Sequence, residues 1–114
     1  MDILTLALSI CLQTTTLDCE NIPVEVTELK QGTAGQAILY KSGKMKIQLN
    51  TKNVENKSIK SIKELITHEY AHLVTYTQGN LKSPHGKDFR KNCQEMANVM
   101  SVSLVQACSG HANH

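Results

Sequence analysis

The spacing of apolar residues between positions 59 and 74 predicts an amphipathic helix. Apolar side chains recur there at the helical period, at Ile59, Ile62, Leu65, Ile66, Leu73 and Val74. This spacing places them on one helix face. Ser58 is a suitable N-cap residue, and Gly79 followed by Asn80 is a typical helix end. A second helix-period pattern follows at Phe89, Cys93, Met96, Met100 and Leu104.

Upstream of these helices the pattern changes to that of strands. Residues 24–29 alternate between apolar and polar side chains, as in a half-buried strand. Two further strand-like runs, 37–41 and 45–49, flank Ser42-Gly43, which is a two-residue hairpin turn signal. We therefore expect a small, three-stranded antiparallel sheet.

The stretch from Ile3 to Leu12 is apolar, which raises the question of a secretory signal. No Lys or Arg precedes it, Asp2 lies at its start, and no small-residue cleavage site follows. It is also much shorter than the roughly 20 residues that cross a bilayer. We expect a buried N-terminal helix, no membrane contact and an α+β architecture of this helix, the sheet and the two later helices.

Length and cysteine usage complete this outline. A chain of 114 residues accommodates one small domain, which we place at residues 1–107, with a disordered tail at 108–114. Cys11, Cys19, Cys93 and Cys108 form no closely spaced pair. Scattered cysteines without an export signal usually stay reduced. We therefore expect a cytoplasmic protein, and a monomer.

The candidate chemistry lies within the first amphipathic helix, in His68-Glu69-Tyr70-Ala71-His72. Histidines four residues apart stand on the same helix face and can bind one metal ion. In such sites the glutamate is not a ligand but takes a proton from the water that the metal activates. The pattern predicts Zn²⁺ on His68 and His72, with Glu69 as the catalytic base.

A catalytic zinc needs a third protein ligand and one open position. His85 is the best candidate, because the turn-rich segment Ser83-Pro84-His85-Gly86 follows the first helix and can bring a side chain back to the metal. Asp88 is the fallback ligand. One other class of zinc protease is excluded, because it requires glycine and histidine where this chain has Thr75 and Gln78. Cys108, His111 and His114 in the tail make only a weak candidate for a second site.

The order of these motifs resembles the SprT-like metalloprotease domain. His68-Glu69-x-x-His72 is followed by His85-Gly86-x-x-Phe89, and residues 32–37, a hairpin and residues 47–50 precede them. The resemblance covers roughly residues 22–107. It implies a small zincin-like fold and a zinc-dependent endopeptidase acting on protein or peptide substrates, with relatives that act on proteins attached to DNA. No Cys-x-x-Cys zinc ribbon follows in the sequence given.

Charge is unevenly distributed along the chain. Residues 1–29 carry five acidic side chains and no Lys or Arg, whereas residues 30–63 carry eight lysines and only Glu55 as an acid. A lysine-rich segment can follow a phosphate backbone, so contact with DNA through residues 30–63 is one interpretation. A solvated surface is the other, because few aromatic residues are interspersed.

A second hypothesis comes from a different class of protein. The zinc could be purely structural, in a non-catalytic binding or inhibitor protein that acts on a nucleic-acid enzyme. Glu69 argues against this, because a structural zinc site has no need of a base. Hydrolysis of a non-peptide amide is a third, weaker alternative.

Overall fold

Five helices and three strands are present in residues 2–81 and 83–109, the part of the chain that the computed structural model describes. The helices are α1 (Ile3–Thr14), α2 (Thr51–Asn56), α3 (Ile59–Thr77), α4 (Lys87–Met100) and α5 (Leu104–Cys108). The strands are β1 (Val24–Thr27), β2 (Gly35–Leu39) and β3 (Met45–Asn50), and a 3₁₀ turn lies at Cys19–Asn21. This order confirms the expected α+β class.

The helix α3 passes through the centre of the fold and contacts α1, α4, α5 and the sheet. Its start at Ser58 is confirmed, since the Ser58 side chain accepts a hydrogen bond from the backbone N–H of Ser61. Its end is also as expected. Gly79 has φ +87°, and the N–H groups of Gly79 and Asn80 donate to the carbonyls of Tyr76 and Thr75. This is a Schellman motif, in which the left-handed residue is glycine.

The buried faces of two helices supply much of the core. Ile62, Ile66 and Leu73 of α3 are almost fully buried, whereas Ile59, at the first position of the helix, is 41% exposed. The predicted burial of α1 is confirmed through its inner face, which consists of Leu6, Ala7, Ile10 and Cys11. Within residues 2–81 and 83–109, no helix combines the length and apolar character needed to cross a membrane.

The sheet is mixed, so the expected antiparallel arrangement is wrong in one pairing. The strand order is β1-β3-β2, with β3 antiparallel to β2 but parallel to β1. Residues 28–34 connect β1 to β2 and cover two strand spacings, about 10 Å. The space left between the two strands is filled by β3, whose Ile47 and Leu49 are fully buried.

The hairpin between β2 and β3 lies where it was predicted. The N–H of Tyr40 donates to the Lys44 carbonyl, and the N–H of Gly43 donates to the Tyr40 carbonyl. Gly43 has φ +90°. The loop has three residues, 41–43, rather than the predicted two. It ends on a glycine in the left-handed region, as common three-residue hairpin loops do.

The second predicted helix is divided in two. The helix α4 ends at Met100, and Ser101 adopts φ 55°, a left-handed conformation that stops the helix. Leu104, expected on the apolar face of the same helix, instead begins α5 and is 40% exposed. Cys108, expected in a tail, is buried in α5, while residues 110–114 lie outside the described residues.

The expectation that the cysteines are reduced is wrong. Cys11 is bonded to Cys19 and Cys93 to Cys108, which uses every cysteine of the chain. The chain turns back after α1 and again after α4, so residues distant in sequence become neighbours. Disulfides persist mainly in oxidising compartments. The prediction of a cytoplasmic protein thus loses the argument on which it was based.

The two disulfides predict that the folded protein contains no reactive thiol. Unfolding in guanidinium without reductant and alkylation with iodoacetamide should leave the mass unchanged, because every sulfur is bonded. If the protein is reduced first, iodoacetamide should add four carbamidomethyl groups, one for each cysteine. Mass spectrometry distinguishes the two states, and alkylation without prior reduction would show that the cysteines are free.

Candidate metal centre

The helix α3 buries several polar side chains, and three of them belong to the motif His68-Glu69-Tyr70-Ala71-His72. His68 and His72 are one helical turn apart and are 1% and 3% exposed, and Glu69 beside them is fully buried. Polar groups at such depth are costly unless they have partners. The location of all three on the buried face therefore indicates a specific site.

His85 reaches the same site from the segment between α3 and α4. The N–H of Gly86 donates to the Ser83 carbonyl at 3.0 Å, which closes a turn around Pro84 and His85. A Cβ atom at Gly86 would lie 2.8 Å from the Cβ of Ser83, so this turn can close tightly only with glycine. The turn leads directly into α4 and leaves His85 half-buried beside α3.

The three imidazole rings bring their nitrogens together. The Nε2 atoms of His72 and His85 lie 3.2 Å and 3.3 Å from the Nε2 of His68, and one ligand atom from each ring fits within 4.8 Å of the others. Zn–N bonds of about 2.0–2.1 Å at tetrahedral angles separate two ligand nitrogens by about 3.3–3.4 Å. The three histidines could therefore hold a metal ion.

A backbone carbonyl sets the orientation of His68. Its Nδ1 lies 2.7 Å from the carbonyl oxygen of Ala107 in α5. Because a carbonyl only accepts hydrogen bonds, Nδ1 must carry the proton, and the lone pair is left on Nε2. This is the usual outer contact of a metal-binding histidine, and it fixes both tautomer and ring direction.

Phe89 forms an apolar wall behind the cluster. Its ring is fully buried, stacks on His72 with centroids 4.3 Å apart, and meets His68 and His85 at steeper angles, with centroids 4.9 Å and 5.2 Å away. One aromatic side chain thus contacts all three imidazoles. It limits their rotation and shields the site from water on the α4 side.

Glu69 lies in a desolvated environment. Its two carboxylate oxygens are buried and accept no hydrogen bond from the residues that the structure describes. Burial raises the pKa of the Glu69 carboxyl well above its usual value, because the charged form loses hydration. Gly35 at the start of β2 approaches closely, since a Cβ there would lie 3.1 Å from Oε2 of Glu69. An alanine at position 35 would crowd this carboxylate.

Of the three tyrosines, Tyr76 is the one that the structure places beside the cluster. Its ring is roughly parallel to that of His72, with centroids 6.0 Å apart. Burial, with a contribution from the negative charge of Glu69, raises the pKa of the Tyr76 phenol. Tyr70, whose pKa burial raises to about 12, instead lines a cleft with α1 and β1 residues such as Leu4 and Val24.

The weaker candidate ligands lie elsewhere. The side chain of Asp88 is exposed and accepts a hydrogen bond from the Asn80 amide at 3.1 Å, outside the histidine cluster. The suggested second site in the tail loses Cys108 to the disulfide with Cys93. The other two residues of that site, His111 and His114, lie outside the described part of the chain.

Two contributions to the site have no recognisable signal in the sequence. The carbonyl of Ala107 is a backbone group, so no side chain indicates its role. Gly35 lies within the segment that resembles the SprT-like domain, yet nothing in its type shows that it contacts Glu69. Both contacts arise only when α5 and β2 pack against α3.

Comparison with known proteins gives one positive result. No curated protein matches the chain. The model of the SprT-like family matches residues 9–111, which is nearly the whole chain and includes both the zinc-protease motif on α3 and the turn with His85. The fold, the metal-binding geometry and this match agree, and the protein belongs to the SprT-like family.

Proposed function

We propose that the protein is a zinc-dependent endopeptidase of the SprT-like type, which hydrolyses peptide bonds of protein substrates. The observation that carries the proposal is the position of Glu69. Its carboxylate is buried next to three convergent imidazoles and accepts no hydrogen bond from the described residues. A purely structural metal site gains nothing from a desolvated carboxylate at this position, whereas a hydrolytic site requires a base there.

The ligand set favours zinc. Three neutral imidazoles suit Zn²⁺, and a catalytic zinc keeps a further position for water or substrate. Co²⁺, Ni²⁺ and Cu²⁺ also accept imidazole. When bound, Zn²⁺ acts as a Lewis acid that lowers the pKa of water to near 7 and polarises a carbonyl group. His68, His72 and His85 would hold it.

The side chains around the cluster divide the remaining tasks. Glu69 accepts a proton from the attacking water and returns it to the leaving nitrogen as the C–N bond breaks. The Ala107 carbonyl keeps His68 in the tautomer whose Nε2 carries the lone pair. Tyr76, beside His72, is the best placed phenol to donate a hydrogen bond to the oxyanion.

The strand β2 is the candidate substrate platform. It pairs with β3 along one edge, and no strand covers its other edge within the described residues. The N–H of Asn50 donates to the Ala34 carbonyl, and the N–H of Tyr40 donates to the Lys44 carbonyl. In this register the even-numbered residues of β2 direct their backbone groups toward β3. The backbone groups of Ala37 therefore point to the open edge. Since Gly35 lies against Glu69, an extended peptide paired with this edge would pass the site.

Contact with DNA is part of the proposal as well. Within residues 30–63, six of the eight lysines are exposed, while Lys46 is neutralised by an ion pair with Glu25 at 3.0 Å. An exposed lysine surface supports binding to a phosphate backbone. We expect the endopeptidase to act as a monomer and to make no contact with a membrane. Its compartment stays a prediction.

Metal binding is the first requirement of this function. Native mass spectrometry should find one zinc per chain in the parent protein, and His85→Ala should weaken zinc binding more than about 100-fold, beyond the loss typical of outer-shell changes. Asp88→Ala is the matched control, because Asp88 is exposed and outside the cluster. Zinc retained by His85→Ala but lost from Asp88→Ala would contradict the ligand assignment.

Removal of the base should separate catalysis from binding. Glu69→Gln is nearly isosteric and is expected to lower kcat by about 10²–10⁴-fold, while one zinc and the melting temperature are retained. Casein cleavage, measured with and without single-stranded DNA, checks this. Activity within about tenfold of the parent would rule out Glu69 as the base. If the parent protein binds a partner but shows no peptidase activity, the non-catalytic alternative is favoured.

The open edge of β2 can be tested through Ala37. Ala37→Pro removes an N–H that the β2–β3 ladder does not use, so the fold should persist. Loss of one or two backbone hydrogen bonds to the substrate, at about 0.5–1.5 kcal/mol each, should lower kcat/KM by about tenfold. Ala37→Gly retains the N–H and serves as the control. Equal peptidase kinetics for the two variants, with both folded, would contradict substrate pairing at β2.

A further inference from the structure

The last helix of the described chain is short and has few anchors. The helix α5 has five residues, and isolated helices of fewer than about 12–15 residues are marginal in water. Its outward side chains include Val105, which is 72% exposed. Only Ala107 and Cys108 are buried, and both are small. The burial of its own side chains therefore contributes little to holding α5 in one position.

This weakly anchored helix nevertheless supplies the contact that orients His68. The carbonyl oxygen of Ala107 lies 2.7 Å from Nδ1 of His68 and is thirty-nine residues away in sequence. A hydrogen bond of this length requires α5 to be held against α3 to within a few tenths of an ångström. Another constraint must supply that accuracy.

The disulfide between Cys93 and Cys108 is placed to supply it. Cys108 directly follows Ala107, so the bond acts next to the carbonyl that contacts His68. Cys93 is fully buried on α4, one helical turn after Phe89, which packs on all three imidazoles. A second polar contact near the start of α5 is longer, since the N–H of Ser103 lies 3.4 Å from a carboxylate oxygen of Glu64.

We propose that the Cys93–Cys108 disulfide is a positioning element of the metal centre. It fixes α5 on α4, holds the Ala107 carbonyl against His68 and thereby increases the affinity of the three histidines for Zn²⁺. This inference rests on the metal site of the proposed function. It adds a dependence of metal binding on the oxidation of one specific pair of cysteines.

The second disulfide provides a matched control. Cys11 and Cys19 join α1 to the 3₁₀ turn, and Cys19 lies near Leu4 and Val24, on the side of the fold that Tyr70 faces. Its removal also deletes one covalent link between buried sulfurs, but it leaves α5 attached. A general loss of stability should weaken zinc binding after removal of either disulfide. A loss of His68 orientation should follow only from removal of the Cys93–Cys108 bond.

The experiment measures the zinc affinity of Cys93→Ala/Cys108→Ala, Cys11→Ala/Cys19→Ala and the parent by competition with a chromophoric chelator. We expect about 10–100-fold weaker binding for the first variant, the loss typical of outer-shell contacts, and less than about threefold for the second. Equal affinities in the two variants would overturn the positioning role. Absence of zinc from the parent would overturn the proposed function and, with it, this inference.

A spectroscopic measurement keeps the proposal testable if the first variant fails to fold. Ring ¹⁵N shifts of His68 in the zinc-free parent should show the tautomer protonated at Nδ1. Reduction of the same folded chain by a phosphine should convert this signal to a mixture of tautomers. An unchanged His68 signal in folded protein with both disulfides reduced would overturn the proposal. It would show that His68 keeps its tautomer without the Cys93–Cys108 bond.

Discussion

The structure depends on the placement of ionisable side chains along the buried face of α3. His68, Glu69 and His72 lie beside apolar side chains such as Ile66 and Leu73 and are almost fully buried. Each such group destabilises the folded state unless another group compensates for lost hydration. The surrounding elements provide that compensation for the imidazoles through the Ala107 carbonyl, the ring of Phe89 and the side chain of His85. Glu69 accepts no hydrogen bond from the described residues, so none of them compensates in this way for the lost hydration of its carboxylate.

Much of the fold follows from periodicity. The helical pattern between residues 59 and 74, with its start at Ser58 and its end at Gly79, reproduces α3 closely because capping and burial act locally. The pairing of β1 with β3 could not be read in the same way. Strand partners depend on how the chain crosses the sheet, and residues 28–34 carry no pattern that indicates a step over a neighbouring strand.

The candidate site is predictable to the extent that it consists of side chains in a motif. His68, Glu69 and His72 lie on one helix, and His85 follows in a turn, so the sequence order already limits their separation. The cysteine pairs were not predictable. Their spacings of 8 and 15 residues fit no compact motif, and their proximity results from the turn after α1 and the break at Ser101. The break itself depends on one residue adopting a left-handed conformation.

The contact between α5 and His68 has a consequence for how this region can vary. Because the acceptor is a backbone carbonyl, any amino acid at position 107 except one that distorts the helix supplies the same atom. Ala107 is fully buried, however, and a larger side chain would push α5 away from α3. Selection at this position should therefore act on side-chain volume rather than on polarity or charge. A substitution that looks conservative by chemistry, such as alanine to leucine, could displace His68 from the other two imidazoles without altering any of the three histidines.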